Sequence, residues 1–150
     1  MRAISLWQPH AQAVALGIKE WETRHWSTNY RGPLAICSTV KPFRLKDYEE
    51  SYFREAWKRL QSAGLNDCGL QYGYLLAVVE LTACIRTEAL DGELSEDARF
   101  WGDFAPGRYA WKLENIERAW PAVRVRGRQN FFNVKEPTHT MRVTRFKGSK

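Results

Sequence analysis

The chain has 150 residues, 44% of them apolar and 13% aromatic, enough to fill one compact domain spanning residues 1–150. No window approaches the apolar length that crosses a membrane, and Met1 to Trp7 lacks the long apolar centre of a secretion signal, so a soluble, cytoplasmic protein is expected. Cys37, Cys68 and Cys84 are odd in number and widely spaced, which argues against a disulfide framework or a paired-cysteine zinc site, and the formal charge is +6.

Residues 2–7 alternate well enough for a short strand, and Pro9 then opens a helix through His10 to Leu16 that Gly17 ends. Lys19 to Trp26 has period two, with Glu20, Glu22, Arg24 and Trp26 on one face and Trp21, Thr23 and His25 on the other, which predicts a strand. The turn-like Asn29 to Gly32 leads to an apolar strand over 33–40 that would pair with it. Helical spacing over 47–63 puts Tyr48, Tyr52, Phe53, Ala56, Trp57 and Leu60 on one stripe, with Gly64 as the stop. The β-branched run 72–87 predicts a buried or bent strand, and Ser95 to Ala98 starts a short helix carrying Phe100 and Trp101. Strands are then predicted at 109–114, 123–126, 131–134 and 141–146, with a frayed tail at 147–150. The fold class is α+β: a small mixed β-barrel of about six strands flanked by about three helices.

Charge falls in three blocks. Residues 1–46 carry +5, residues 47–105 carry −7 and residues 106–150 carry +8. If the two basic ends meet in space, one face would attract polyanions, the electrostatic outline of a nucleic-acid binder. Arg124, Arg126 and Arg128 alternate and can form a phosphate-spaced ridge, although a solvated strand face has the same pattern. Glu22 and Arg24 lie two apart on one strand face, roughly 6–7 Å between Cα atoms, so they can bracket one polar ligand. Lys19, just past the helix stop, can lean over the same place; a salt-bridge cluster bracing strand against helix is the competing reading. Trp21, Trp57 and Trp111 are assigned to the core, and Trp7, Trp26 and Trp101 to base stacking. His10, His25 and His139 have no metal-ligand spacing, so no metal or cofactor is expected.

The motif Gly17-x-Lys19-x-x-Glu22-x-Arg24, preceded by Ser5-Leu6-Trp7-Gln8-Pro9, resembles the ASCH family. The resemblance continues through Glu22 to Trp26, Tyr30 to Leu34, Arg108 to Leu113 and Gly127 to Phe132. It implies a barrel related to the PUA RNA-binding fold, with a cleft between barrel and first helix floored by the lysine, glutamate and arginine. Two departures stand out. Where family members often show a histidine, this chain has Cys37-Ser38-Thr39, and where the acetylcytidine amidohydrolase branch has a threonine nucleophile, it has Glu22. Thr23 is expected on the opposite face of the strand.

We therefore expect a monomeric RNA-binding ASCH-type protein that takes single-stranded RNA or a nucleoside, with ribonuclease activity in the cleft. Lys19, Glu22 and Arg24 are the catalytic candidates, Glu22 as base and the cations on the phosphate. RNA contacts are assigned to Trp7, Gln8, Trp26, Ser38, Lys41, Trp101, Arg124, Arg126 and Arg128. The alternatives are an N4-acetylcytidine amidohydrolase and a reader of RNA or a modified base without catalysis.

Overall fold

A computed structural model describes residues 1–144. In chain order the elements are β1 (Arg2–Leu6), α1 (His10–Ala15), β2 (Trp21–Arg24), β3 (Gly32–Ser38), α2 (Glu50–Ser62), β4 (Tyr74–Arg86), α3 (Glu96–Phe100), β5 (Tyr109–Arg124), β6 (Phe132–Asn133) and β7 (Thr140–Arg142). Single 3-10 turns lie at Leu45–Asp47 and Thr87–Leu90. The strands form one sheet in the order β2-β5-β4-β3-β1-β6, with β7 also pairing β5. β1 and β3 run parallel, which requires a crossover, and α1 with β2 supplies it. The other pairings are antiparallel.

The barrel expected from the sequence is corrected in two respects: the sheet has seven strands, and it is not closed. β2 has four residues and β6 two, too little ladder at the two ends of the sheet to complete a ring. The strands expected at 109–114 and 123–126 are one continuous strand, the 16-residue β5. Asn115, at φ 50, and three register shifts against β4 interrupt its alternation, so a single bent strand reads as two in the sequence. β4 lies between β3 and β5, and its first half is buried on both faces, hence its unbroken apolar run. Residues 145–146 of the expected last strand and the expected tail at 147–150 lie outside the described residues.

The main core gathers Ile4, Leu34, Ile36, Val79, Leu81, Trp111 and Leu113 beneath Ala11, Val14 and Ala15 of α1. Leu34 is fully buried, so Leu34→Ala would cost about 2–5 kcal/mol. A second, aromatic cluster joins α2 and α3 to the sheet domain through Ala13, Phe43, Ala56, Leu60 and Trp101. α2 starts three residues later than its stripe suggests, because Leu45–Asp47 forms a 3-10 turn and Tyr48 is extended. Among the described residues no helix is long and apolar enough to cross a membrane.

One glycine positions the site. Gly17 takes φ +81, favourable only without a side chain, and its amide bonds the Val14 carbonyl. The chain then doubles back, and the amides of Ile18 and Lys19 both reach the Ala13 carbonyl. Lys19 is thereby turned under the helix it follows.

Candidate functional site

β2 and β1 do not pair with each other, and a side chain bridges them instead. Arg24 Nη2 donates to the Ser5 carbonyl at 3.0 Å. Along this seam runs a cleft of about 540 Å³, with Ser5, Trp7 and His10 on one wall and Lys19, Glu22 and Arg24 on the other. Trp101, Asp103 and Arg108 close its end.

Glu22 and Arg24 meet as the strand period predicts, and Lys19, just past the helix stop, joins them. Lys19 Nζ stands 3.4 Å from Glu22 Oε1 and Arg24 Nη2 3.3 Å from Glu22 Oε2. The Thr23 amide also donates to Oε1, and the Lys19 ammonium donates to the Trp101 carbonyl. Lys19 is 1% exposed and Glu22 8%. Burial pushes the Lys19 ammonium below its ordinary range, against the pull of Glu22. Burial pushes the Glu22 carboxyl up, but Lys19 and Arg24 outweigh it, so the carboxyl lies below its ordinary range. The cluster is therefore ionic, internally neutralised on its carboxylate, and expensive to break from one side.

His10 is the residue the sequence reading passed over. Burial, then the Lys19 charge, lower its pKa from 6.5 to about 4, so its ring is neutral near pH 7. Nδ1 of the ring is buried without a hydrogen-bond partner. Ser5 Oγ is buried and unpartnered as well. No local signal marks either residue, because their surroundings come from Trp101 and from Gly127, far along the chain.

A wider hollow of about 1020 Å³ continues the cleft, and the two share Ser5, Trp7, Arg24 and His25. Arg126 and Arg128 border it from the loop after β5. All its lining residues except Gly73 come from the two basic terminal blocks, which do meet in space. Gly127 is what lets the loop approach: a Cβ there would stand 2.5 Å from Ser5 Oγ. Arg124 ends β5, with its guanidinium over the Tyr74 ring and bonded to the Tyr74 hydroxyl at 3.1 Å.

The residues assigned to RNA differ in their surroundings. Trp101 is 1% exposed, edge-on to His10 and Phe100, so it braces the cluster and offers no face to a base. Gln8 is buried; Nε2 donates to the Gln71 carbonyl and Oε1 accepts the Gln12 amide. Ser38 Oγ, also buried, donates to the same Gln71 carbonyl and accepts the Tyr74 amide. Both polar groups are engaged by backbone. Trp26 lines the hollow but is half-buried, edge-on to Trp111 and Phe131. Trp21, assigned to the core, is half-buried with Lys112 over its ring at 4.8 Å. Trp7 remains: it is 56% exposed, lines both cavities, and has Lys41 over one face at 3.4 Å. Thr23, expected to face away, lines the cleft too, with its hydroxyl accepting the Asp103 amide.

Among the described residues no group of three or more metal-ligating side chains is assembled. Cys37 is buried, its thiol pushed up to about 12 by burial.

A comparison with curated proteins finds no match. Among solved structures the chain is similar to a point mutant of the protein ZmASCH from Zymomonas mobilis, at 14% identity over 91% of each chain with a TM-score of 0.48. The family model described as the ASCH domain matches residues 4–132. That match spans the lysine, glutamate and arginine cluster, both walls of the seam and the arginine loop, and the chain belongs to the ASCH family, whose fold is PUA-like.

Proposed function

We propose that this protein binds single-stranded RNA along the seam and over the arginine loop. One observation carries the reading: the polar cleft and the hollow under Arg126 and Arg128 are continuous, so a strand anchored at one meets the other. Trp7 offers the exposed aromatic face on which a base stacks. If four to six phosphates are neutralised, log affinity falls against log salt with a slope of about −3 to −4. A titration of labelled single-stranded RNA at several salt concentrations tests this, and a slope near zero contradicts it.

Cleavage of the bound strand is a second reading, favoured by the unpartnered Nδ1 of His10 beside Lys19. Glu22, held by two cations and an amide, is a weak base. In this reading the 2′-oxygen attacks phosphorus and gives its proton to the His10 ring, which lines the cleft, while the bond to the 5′-oxygen breaks and that oxygen takes a proton from Lys19. Burial lowers the Lys19 pKa, which improves it as a donor. Turnover of labelled RNA should then fall by about 10² or more in His10→Asn, and much less in Glu22→Gln. Deacetylation of N4-acetylcytidine is disfavoured by the same geometry: the threonine nucleophile is absent, and the Thr23 hydroxyl is held by Asp103. Cytidine release should stay at background.

A further inference from the structure

The geometry points to a second nucleotide site on the far side of the arginine loop, one that holds the phosphates flanking the seam-bound segment of the same RNA strand. It rests on the RNA reading above. Between the end of β5 and the β6 segment lies a hollow of about 590 Å³ bordered by Arg124, Arg126, Arg128 and Lys135, with no Asp or Glu among its lining residues. None of these four cations has a carboxylate partner among the described residues. Four like charges around one hollow repel each other, and anions entering it relieve that repulsion. Arg124 is already aligned by Tyr74, so little of its side-chain freedom remains to be lost on binding.

The hollow connects to the seam. It shares Val125, Arg126, Arg128 and Gln129 with the larger cavity, so the arginine loop is a ridge between two basins that a strand crosses. Phe131, half-buried in the wall of the second basin, gives it an apolar side. The two basins also differ in what their charges are free to do. In the seam, Lys19 and Arg24 are bonded to Glu22, and Arg108 to Asp103. A strand anchored at the exposed Trp7 face in the seam therefore gains its further phosphate contacts in the second basin, provided it is long enough to cross the ridge.

Anisotropy titrations of 5′-labelled single-stranded RNA of about two and about eight nucleotides test the proposal, since site sizes of about 4–16 nucleotides are usual for such grooves. The wild-type chain should bind the longer strand about tenfold or more tightly, with a salt slope steeper by about 1.4, or about 0.7 for each of two further phosphates. Lys135→Ala with Arg124→Ala should abolish that gain and leave binding of the short strand as it was. If the double variant melts early, Lys135→Ala alone, at an exposed side chain, carries the test by removing about half the added slope. Equal binding of both lengths, or equal losses on both, overturns the second site while leaving the RNA reading in place. Failure of the wild-type chain to bind either length at low salt overturns the RNA reading itself.

Discussion

The seam and the arginine loop carry the same kinds of charge in opposite states. In the seam the charges are buried and paired: Lys19, Glu22 and Arg24 are joined at 3.3–3.4 Å, and the cations hold Glu22 ionised against burial. On the loop, Arg126 and Arg128 are exposed and have no carboxylate partner among the described residues. Cations already neutralised inside a protein release few counterions when RNA arrives, whereas exposed ones release theirs. In the RNA reading proposed above, the seam, which carries the family motif, orients the strand and holds the fold, and the loop attracts it.

The comparison breaks most severely at Lys19. Lys19→Ala leaves Glu22 buried without one of its two cations, and a loss of about 3–5 kcal/mol in unfolding free energy is expected by denaturant titration. If the variant melts like the wild type, the seam is not the ionic brace described here. The next effect is on pH dependence. The His10 pKa is about 4 in the folded chain against 6.5 when unfolded, so the unfolded chain takes up a proton first as pH falls. Stability is unaffected by His10 above pH 6.5 and declines between 6.5 and about 4, by roughly 3 kcal/mol in all. Glu22, whose pKa is lowered, contributes stability above its unfolded value of 4.5 that is lost as pH falls further through its folded value. His10→Asn should flatten the first decline and leave the second, which thermal melts across this range would show.

How much of this was legible in the sequence depends on the distance over which each feature is decided. The meeting of Glu22 with Arg24 follows from a two-residue period, and the turning of Lys19 under α1 from Gly17 one turn away; both are local. The engagement of Gln8 and Ser38 is decided at a distance, since the same Gln71 carbonyl takes up both side chains, 63 and 33 residues away. The burial of Trp101 is decided at a distance too, since it packs on His10, far earlier in the chain. β5 was read as two strands because the bulges that bend it also erase its alternation. The open seam depends on strand lengths at both sheet ends, which propensity does not report. The arginine ridge was legible as a pattern, but Arg126 and Arg128 project from a loop beyond β5, held there by the approach of Gly127 to Ser5.

That approach gives a smaller, sharper test. Gly127→Ala should push the loop from the seam and weaken RNA binding several-fold, about the worth of one or two exposed phosphate contacts. Adding Ser5→Ala removes the Oγ and leaves the new Cβ facing the Ser5 Cβ at 3.5 Å, an ordinary contact, so affinity should return. Failure of the second substitution to restore binding would show that the loop is not positioned by this contact.

The central claim, that paired charges orient and unpaired ones attract, is tested most directly by the salt dependence of RNA binding in two variants measured where both are folded. Replacing Arg124, Arg126 and Arg128 with alanine should reduce the slope of log affinity against log salt by about 2, with little change in melting temperature. Glu22→Gln should lower the melting temperature and leave the slope as in the wild type. A slope that changes with Glu22→Gln as much as with the triple substitution would contradict the account.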